Sequence, residues 1–267
     1  MRKPFKPIKL KGVRANIGLE KLYKKCLLRQ LDAMHASIMK WVMAAFKRNE
    51  PEVAVLAQDD TPAHQLQKVM RQLKKQWRSN YNKGAPELAK YFTKSVHKRT
   101  NAQLHKILKE AGFEINFKMT KAQKDIAAAI VHENVALIKS IPEQYLKNVE
   151  GDVMRAVQTG MDVGTLQKKL QANYGVSKKR ASLIARDQNS KANSSFDRAR
   201  QLELGVEQAI WRHSHGGKTP RPSHVANDGK TFDVAKGWYD PDEGAWIQPG
   251  ELINCRCYSE AIIPGFK

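Results

Sequence analysis

The chain has 267 residues and carries a formal net charge of +21, with a pI near 9.9. That length is ample for a buried core, and that charge predicts attraction to polyanions, nucleic acid above all. No apolar run is long enough to cross a membrane, and three cysteines are too few and too odd in number for a secreted disulfide framework.

The charge is unevenly spread. Residues 1–100 hold 23 Lys/Arg against 7 Asp/Glu, whereas residues 201–267 hold 7 against 9. The basic surface is therefore expected in the front of the chain. The opening MRKPFKPIKLKG is basic with no apolar segment behind it, which does not read as a signal peptide; a reducing compartment is expected.

From about Glu20 to Arg48, Leu27, Leu31, Met34, Ile38, Trp41 and Ala45 recur three and four apart, the stripe of a packed helix. NEPEVAVLAQDDTPA, with two prolines and an acidic cluster, reads as a loop. Helical spacing returns with Leu66, Val69, Met70, Leu73 and Trp77. NKGAPE then suggests a turn, with Pro86 opening a further helix to about Lys109 that Gly112 would cap. FEINFKM alternates apolar and polar residues and suggests a short strand.

Thr120 is expected to open the next helix. Ser140-Ile-Pro-Glu143 has the spacing of a capping box and predicts a new helix, which carries Tyr145, Leu146, Val149, Val153 and Val157 and stops near Gly160. A shorter helix is expected between Asp162 and Gly175, followed by a long one from Ser177 to Gly205. Beyond Gly205 the helical period disappears, and glycine, proline and tryptophan (Trp211, Trp238, Trp246) become frequent. Short strands and loops packed by large aromatics are expected there.

The fold class that follows is a mainly α N-terminal helical region and then a small α+β C-terminal domain rich in loops and short strands. The expected divisions are a basic helical region over 1–110, a second helical region over 111–205 and a compact Cys/His-containing domain over 206–267.

Two constellations carry chemistry. In the front half, Lys74, Lys75 and Arg78 lie among aromatics in KKQWRSNYNK, as do Lys98 and Arg99 in VHKRTNAQLHK with Lys94 just before it, a mixture suited to phosphate contacts and stacking on double-stranded DNA; solvated helix faces are the plainer reading. In the back half, His213, His215, His224, Cys255 and Cys257 offer imidazole and thiolate donors for a structural zinc ion. Plain packing of two small buried cysteines is the rival, and a Cys-x-Cys disulfide is disfavoured by its small strained ring. His224 with Asn227 and Asp228 superficially suggests a metal-dependent nuclease. Asn-Asp-Gly, however, more naturally forms a tight turn, and no hydrolase or phosphate-loop motif is present, so no catalytic residue is assigned.

Three segments occur in a telling order: KKRASLIARDQNSKANSSFDRARQLELGVEQAIWRHS, RPSHVANDGKTF and PGELINCRC. Their combination over about residues 130–263 resembles the Mu F-like phage head morphogenesis family, the minor head proteins of tailed bacteriophages. The chain departs from the family pattern at Asp187-Gln188, where Thr-Glu is expected, and in HSHGGKTP, where His213 or His215 stands near a usual acidic position. The resemblance implies a non-enzymatic minor capsid protein in the capsid interior near the portal vertex, assembled in the host cytoplasm. It would aid prohead assembly or DNA packaging and delivery. Implied partners are the portal protein and the scaffold or major capsid protein, with no membrane. A metal-dependent nuclease and a free DNA-binding protein are the alternatives.

Overall fold

A computed structural model describes residues 7–48, 61–217 and 219–263. The loop expected at NEPEVAVLAQDDTPA falls mostly outside the described residues. In chain order come β1 (Ile8–Lys9), four long helices α1 (Ile17–Arg48), α2 (Pro62–Glu110), α3 (Lys121–Gln158) and α4 (Val163–Glu203), then β2 (Gln208–Arg212), α5 (Pro222–Ala226), β3 (Thr231–Asp233), β4 (Trp238–Asp240), β5 (Ala245–Ile247) and β6 (Tyr258–Ile263). The fold is thus helical first, with a small region of short antiparallel strands and loops after it, as expected.

Helix ends follow the sequence closely. Gly112, Gly160 and Gly205 all have positive φ. Each sits one residue inside a paired closure: Phe113 N–H donates to Leu108 O and Gly112 N–H to Lys109 O, and the same pattern recurs at Met161 and Val206. This is the Schellman arrangement, which satisfies terminal carbonyls through a residue in the left-handed region. At the opposite ends, Thr120 Oγ1 accepts the Gln123 N–H and Asp162 Oδ1 accepts the Thr165 N–H.

Three internal breaks expected from sequence do not occur. Helix α2 runs through Pro86 and α3 through Pro142. An interior proline costs a helix about 3 kcal/mol, and burial on both sides offsets it. Tyr81, Ala85 and Ala89 form one buried row across Pro86, and Ile138, Ile141 and Tyr145 one across Pro142. Ser140 donates to the Leu137 carbonyl within its own helix instead of capping a new one. Helix α4 likewise passes through Gly175 and Ser177.

Two further corrections concern side-chain placement. Val42, not Trp41, completes the buried stripe of α1; Trp41 is exposed, with the Lys40 ammonium 5.2 Å from its ring centroid. FEINFKM forms no strand. Its alternation is nonetheless used, because Phe113, Ile115 and Phe117 rest partly buried on a hydrophobic core.

The chain forms two compact units, each assembled from separate segments. One comprises Leu22–Ala89 and His132–Ala185. Its regular elements among the described residues are all helical, with Leu27, Leu31, Ile38, Leu66, Met70 and Val149 fully buried. Polar side chains link its helices: Tyr23 donates to Asn134 Oδ1, Tyr174 donates to Asp32 Oδ1, and His35 contacts Tyr145 and Gln171 while stacking on Tyr174.

The other unit comprises Met1–Lys21, Lys90–Val131 and Arg186–Lys267. Its sheet has the order β1-β6-β2-β3, all antiparallel, and β4 and β5 form a separate hairpin. Sequence reading missed β1, whose two residues are too short to show a period. Within this unit α4 presents a row of buried polar groups. Asn193 bridges Thr100 and the Val13 carbonyl, Asn189 donates to the Asn16 carbonyl, and Arg198 donates to the Val234 and Ala235 carbonyls. This row explains why the stretch of α4 within this unit is polar in sequence yet mostly buried: its hydrogen bonds hold the N-terminal segment and the sheet.

Candidate metal centre

Trp211 on β2 is the centre of the core in this unit. It is completely buried and meets Phe232, Trp238 and His224 edge-on, with ring centroids 5.8, 5.4 and 5.2 Å away. Trp246, expected to pack alike, instead stands exposed on β5 against Tyr239, with the Lys236 ammonium 4.8 Å from its centroid.

Short helix α5 begins at Pro222, whose fixed φ suits the first helical turn, and places His224 against Trp211. Facing it, the turn before β6 brings in Cys255 and Cys257. His224 Nδ1 lies 3.4 Å from Cys255 Sγ and 3.6 Å from Cys257 Sγ. All three residues are buried, and they are the one group of at least three His, Cys, Asp or Glu donors within 4.8 Å of one another among the described residues. The opposite edge of the imidazole faces a residue that sequence reading missed: Asp240, fully buried, places Oδ2 3.3 Å from His224 Nε2, an ion-pair distance without hydrogen-bond alignment. Asp240 is itself fixed by the Ser223 hydroxyl and the Asp242 N–H. A carboxylate behind the imidazole orients the ring and raises its basicity as a ligand. No spacing rule could have found Asp240, because it reaches His224 through the β4–β5 hairpin.

The donor chemistry fits a metal. A hydrogen bond from the Cys257 thiol, aided by His224, draws Cys255 down to about 4 even though burial pushes it up. Cys257, which supplies that hydrogen bond and is buried beside a thiolate, is raised; its neighbours Trp211 and Ser214 oppose this only in part. The site thus favours one thiolate and resists a second in the absence of a cation, and a divalent cation relieves that resistance. Two sulfurs and one imidazole nitrogen make a triad compatible with zinc.

His213 and His215 do not join this triad. Their Nδ1 atoms lie 3.3 Å apart, and both turn to Asp228, which accepts the His213 backbone N–H and approaches His215 Nε2 at 3.3 Å. Asp228 is lowered by the His213 N–H and by His215, while burial and His215 lower His213. Asn227-Asp228-Gly229 makes the expected tight turn, with Gly229 at φ 81°.

The Cys-x-Cys turn is clamped from α4. Asn254 adopts φ 62°, its side-chain oxygen accepts two bonds from Arg186 at 3.1 and 2.6 Å, and its N–H donates to Asp187 Oδ1 at 2.8 Å. Asparagine tolerates the left-handed region better than most residues do. Asp187, which departs from the family pattern in sequence, therefore has a definite structural task. Asn254→Ala should lose the clamp and strain the turn, lowering stability by about 2 kcal/mol; thermal unfolding of the purified variant checks this.

The basic candidates fall into both units. Lys74 pairs with Glu150 and Arg78 with Glu143, within one of them. Lys75, on the same helix, is exposed, as are Lys94, Lys98 and Arg99 of the other unit, and none of these four has a carboxylate partner among the described residues. Arg71 and Lys83 join Lys74, Lys75 and Arg78 along one open cleft on α2.

A helical body joined to a small sheet with a buried His/Cys/Cys triad defines the class, and sequence comparison adds a family match. Residues 147–260 match the family described as Phage Mu protein F like protein, a stretch that holds α4, β2 to β5 and the triad. The chain is also similar to an uncharacterized protein of Haemophilus influenzae, at 31% identity over 198 residues that cover 73% of this chain and 43% of the relative. It thus spans less than half of that relative's length. No solved structure matches. No helix among the described residues is long and apolar enough to cross a membrane.

Proposed function

We propose that the protein is a minor capsid protein of a tailed bacteriophage, bound at the portal vertex, where it assists prohead assembly and the packaging or delivery of DNA. The observation that carries this reading is the family match over 147–260, which includes every element of the triad. The portal protein is the first partner expected, with scaffold or major capsid protein as neighbours during assembly. In this reading the triad is structural: a zinc ion held by His224, Cys255 and Cys257 ties α5 to the start of β6. Recovery of this chain from assembling proheads tests the reading. Co-purification of portal protein supports it, and recovery with DNA alone would favour a free DNA-binding protein.

The exposed cations give the protein a second contact, with the double-stranded genome. Ion-paired Lys74 and Arg78 gain less from a phosphate than unpaired Lys75, Lys94, Lys98 and Arg99 do, because their charge is already compensated. Duplex binding should weaken steeply with salt, and replacing Lys94, Lys98 and Arg99 together by Gln should lower the slope of log K against log salt by roughly 0.9 for each phosphate no longer neutralised. Titrations over a range of salt concentration read this directly; a slope unchanged by the triple variant would remove these residues from the interface. A nuclease would instead nick DNA in the presence of a divalent metal, with the activity lost in His224→Ala.

A further inference from the structure

A cavity of about 320 Å³ opens beside the metal triad, within the unit that holds the sheet. One wall is a single face of α4, carrying Ser190, Asn193, Ser194 and Asp197; the others come from residues 13–15, the start of α1 and the beginning of β6. Its size is that of a small-molecule site.

Two arginines stand at this cavity. Arg14 lies over the Tyr258 ring, 4.6 Å from its centroid, and donates to the Tyr258 hydroxyl. Arg256 donates to the Gly216 carbonyl at 2.8 Å. Tyr258 and Gly216, on which the two guanidiniums rest, both line the cavity, as do the arginines themselves. Both arginines are exposed, neither has a carboxylate partner among the described residues, and each keeps donors unused by its single bond. The one other acid besides Asp197 among the lining residues is Glu20.

Asp197 does not cancel this positive charge. One of its oxygens, Oδ2, accepts from Gln201 and Ser259, while Oδ1 is buried with no hydrogen-bond partner. Burial pushes this carboxyl up to about 7, against the Ser259 and Gln201 hydrogen bonds. Near neutral pH a large share of it is a neutral acid. The cavity therefore offers two guanidiniums at its edge against the single carboxylate of Glu20, with hydroxyl groups inside.

We propose that this cavity binds a small phosphomonoester, with its phosphate held by Arg14 and Arg256 and its organic part inside, against the Ser190 face of α4. Phosphate is preferred over carboxylate because a phosphomonoester is close to a dianion at neutral pH and matches two guanidiniums, each able to bind its oxygens bidentately. The organic part fills the volume, which is partly walled by Val13, Ala15 and the Tyr258 ring.

The test uses the full chain titrated with dAMP, and separately with inorganic phosphate, at constant ionic strength in a calorimeter. Wild type should bind about one dAMP, at least tenfold more tightly than inorganic phosphate. Arg14→Gln/Arg256→Gln should weaken dAMP at least tenfold while keeping the unliganded melting temperature. Ser190→Leu, which fills the cavity and leaves both arginines, should weaken dAMP while leaving inorganic phosphate unchanged. No dAMP binding to wild type would overturn the proposal. Equal binding by the double-arginine variant would also overturn it, by moving the anion to the general basic surface. Equal affinity for dAMP and phosphate, or undiminished dAMP binding in Ser190→Leu, would show that the cavity takes no organic part.

Discussion

Wild-type protein purified without chelator is expected to carry one zinc per chain, and Cys255→Ala/Cys257→Ala to carry none and to melt at a lower temperature. The size of the effect follows from linkage: a ligand that binds only the folded state, at a free concentration 1,000 times its Kd, adds about 4 kcal/mol. Structural zinc can exceed this, because the apparent binding energy in small zinc domains reaches roughly 10–16 kcal/mol. Removing two buried sulfurs from the packed core costs far less by itself, on the order of 1–2 kcal/mol. Chelation of wild type separates the two contributions, since it removes the metal and leaves the sulfurs. A chelator should therefore lower the melting temperature of wild type and leave that of the double variant unchanged. Metal analysis showing no stoichiometric zinc, together with a melting curve insensitive to chelator, would reduce the triad to packing. Acid should mimic chelation, because zinc binding requires deprotonated thiols and a neutral imidazole, and protons compete for all three.

Trp211→Ala should destabilise the sheet-bearing unit by about 3–5 kcal/mol, the range found for removing a fully buried large aromatic. The side chain has no exposed surface, and its ring is the common neighbour of Phe232, Trp238 and His224. The variant should lose zinc as well, because His224 would lose the ring that fixes one side of its imidazole. Trp211→Phe keeps an apolar ring and should recover most of the stability and the metal. Denaturant unfolding followed through tryptophan fluorescence, with metal content measured in parallel, reads both effects. Loss of zinc from Trp211→Phe without loss of stability would show that the indole itself shapes the site.

How much of this was legible in the sequence depends on the range of the interaction. The ends of the long helices were readable, because glycines at 112, 160 and 205 and the caps at Thr120 and Asp162 act within a few residues. The false breaks at Pro86 and Pro142 came from the same local signals, overruled by burial on either side that no local window contains. Trp41 and Val42 share this lesson, since two adjacent apolar residues fit almost the same stripe and packing chose between them. At the triad, residue types pointed to His224, Cys255 and Cys257 together. Asp240 and the Arg186–Asp187 clamp on Asn254 were invisible, because each acts across a long stretch of intervening chain. His213 and His215 looked equivalent to His224 in sequence; the turn at Asp228 draws them into a cluster of their own.

Strand β1 pairs with β6 across about 250 residues of chain, with Ile8 opposite Ile263. During synthesis, β1 must wait for nearly all of the described chain before its hydrogen-bonding partner β6 exists. The sheet, and with it the turn that carries both cysteines, can therefore close only late, whereas the helical segments can form as they emerge. Any metal capture by the triad would then fall at the close of folding, and a ribosome stalled before residue 255 would display helices without either cysteine of the triad.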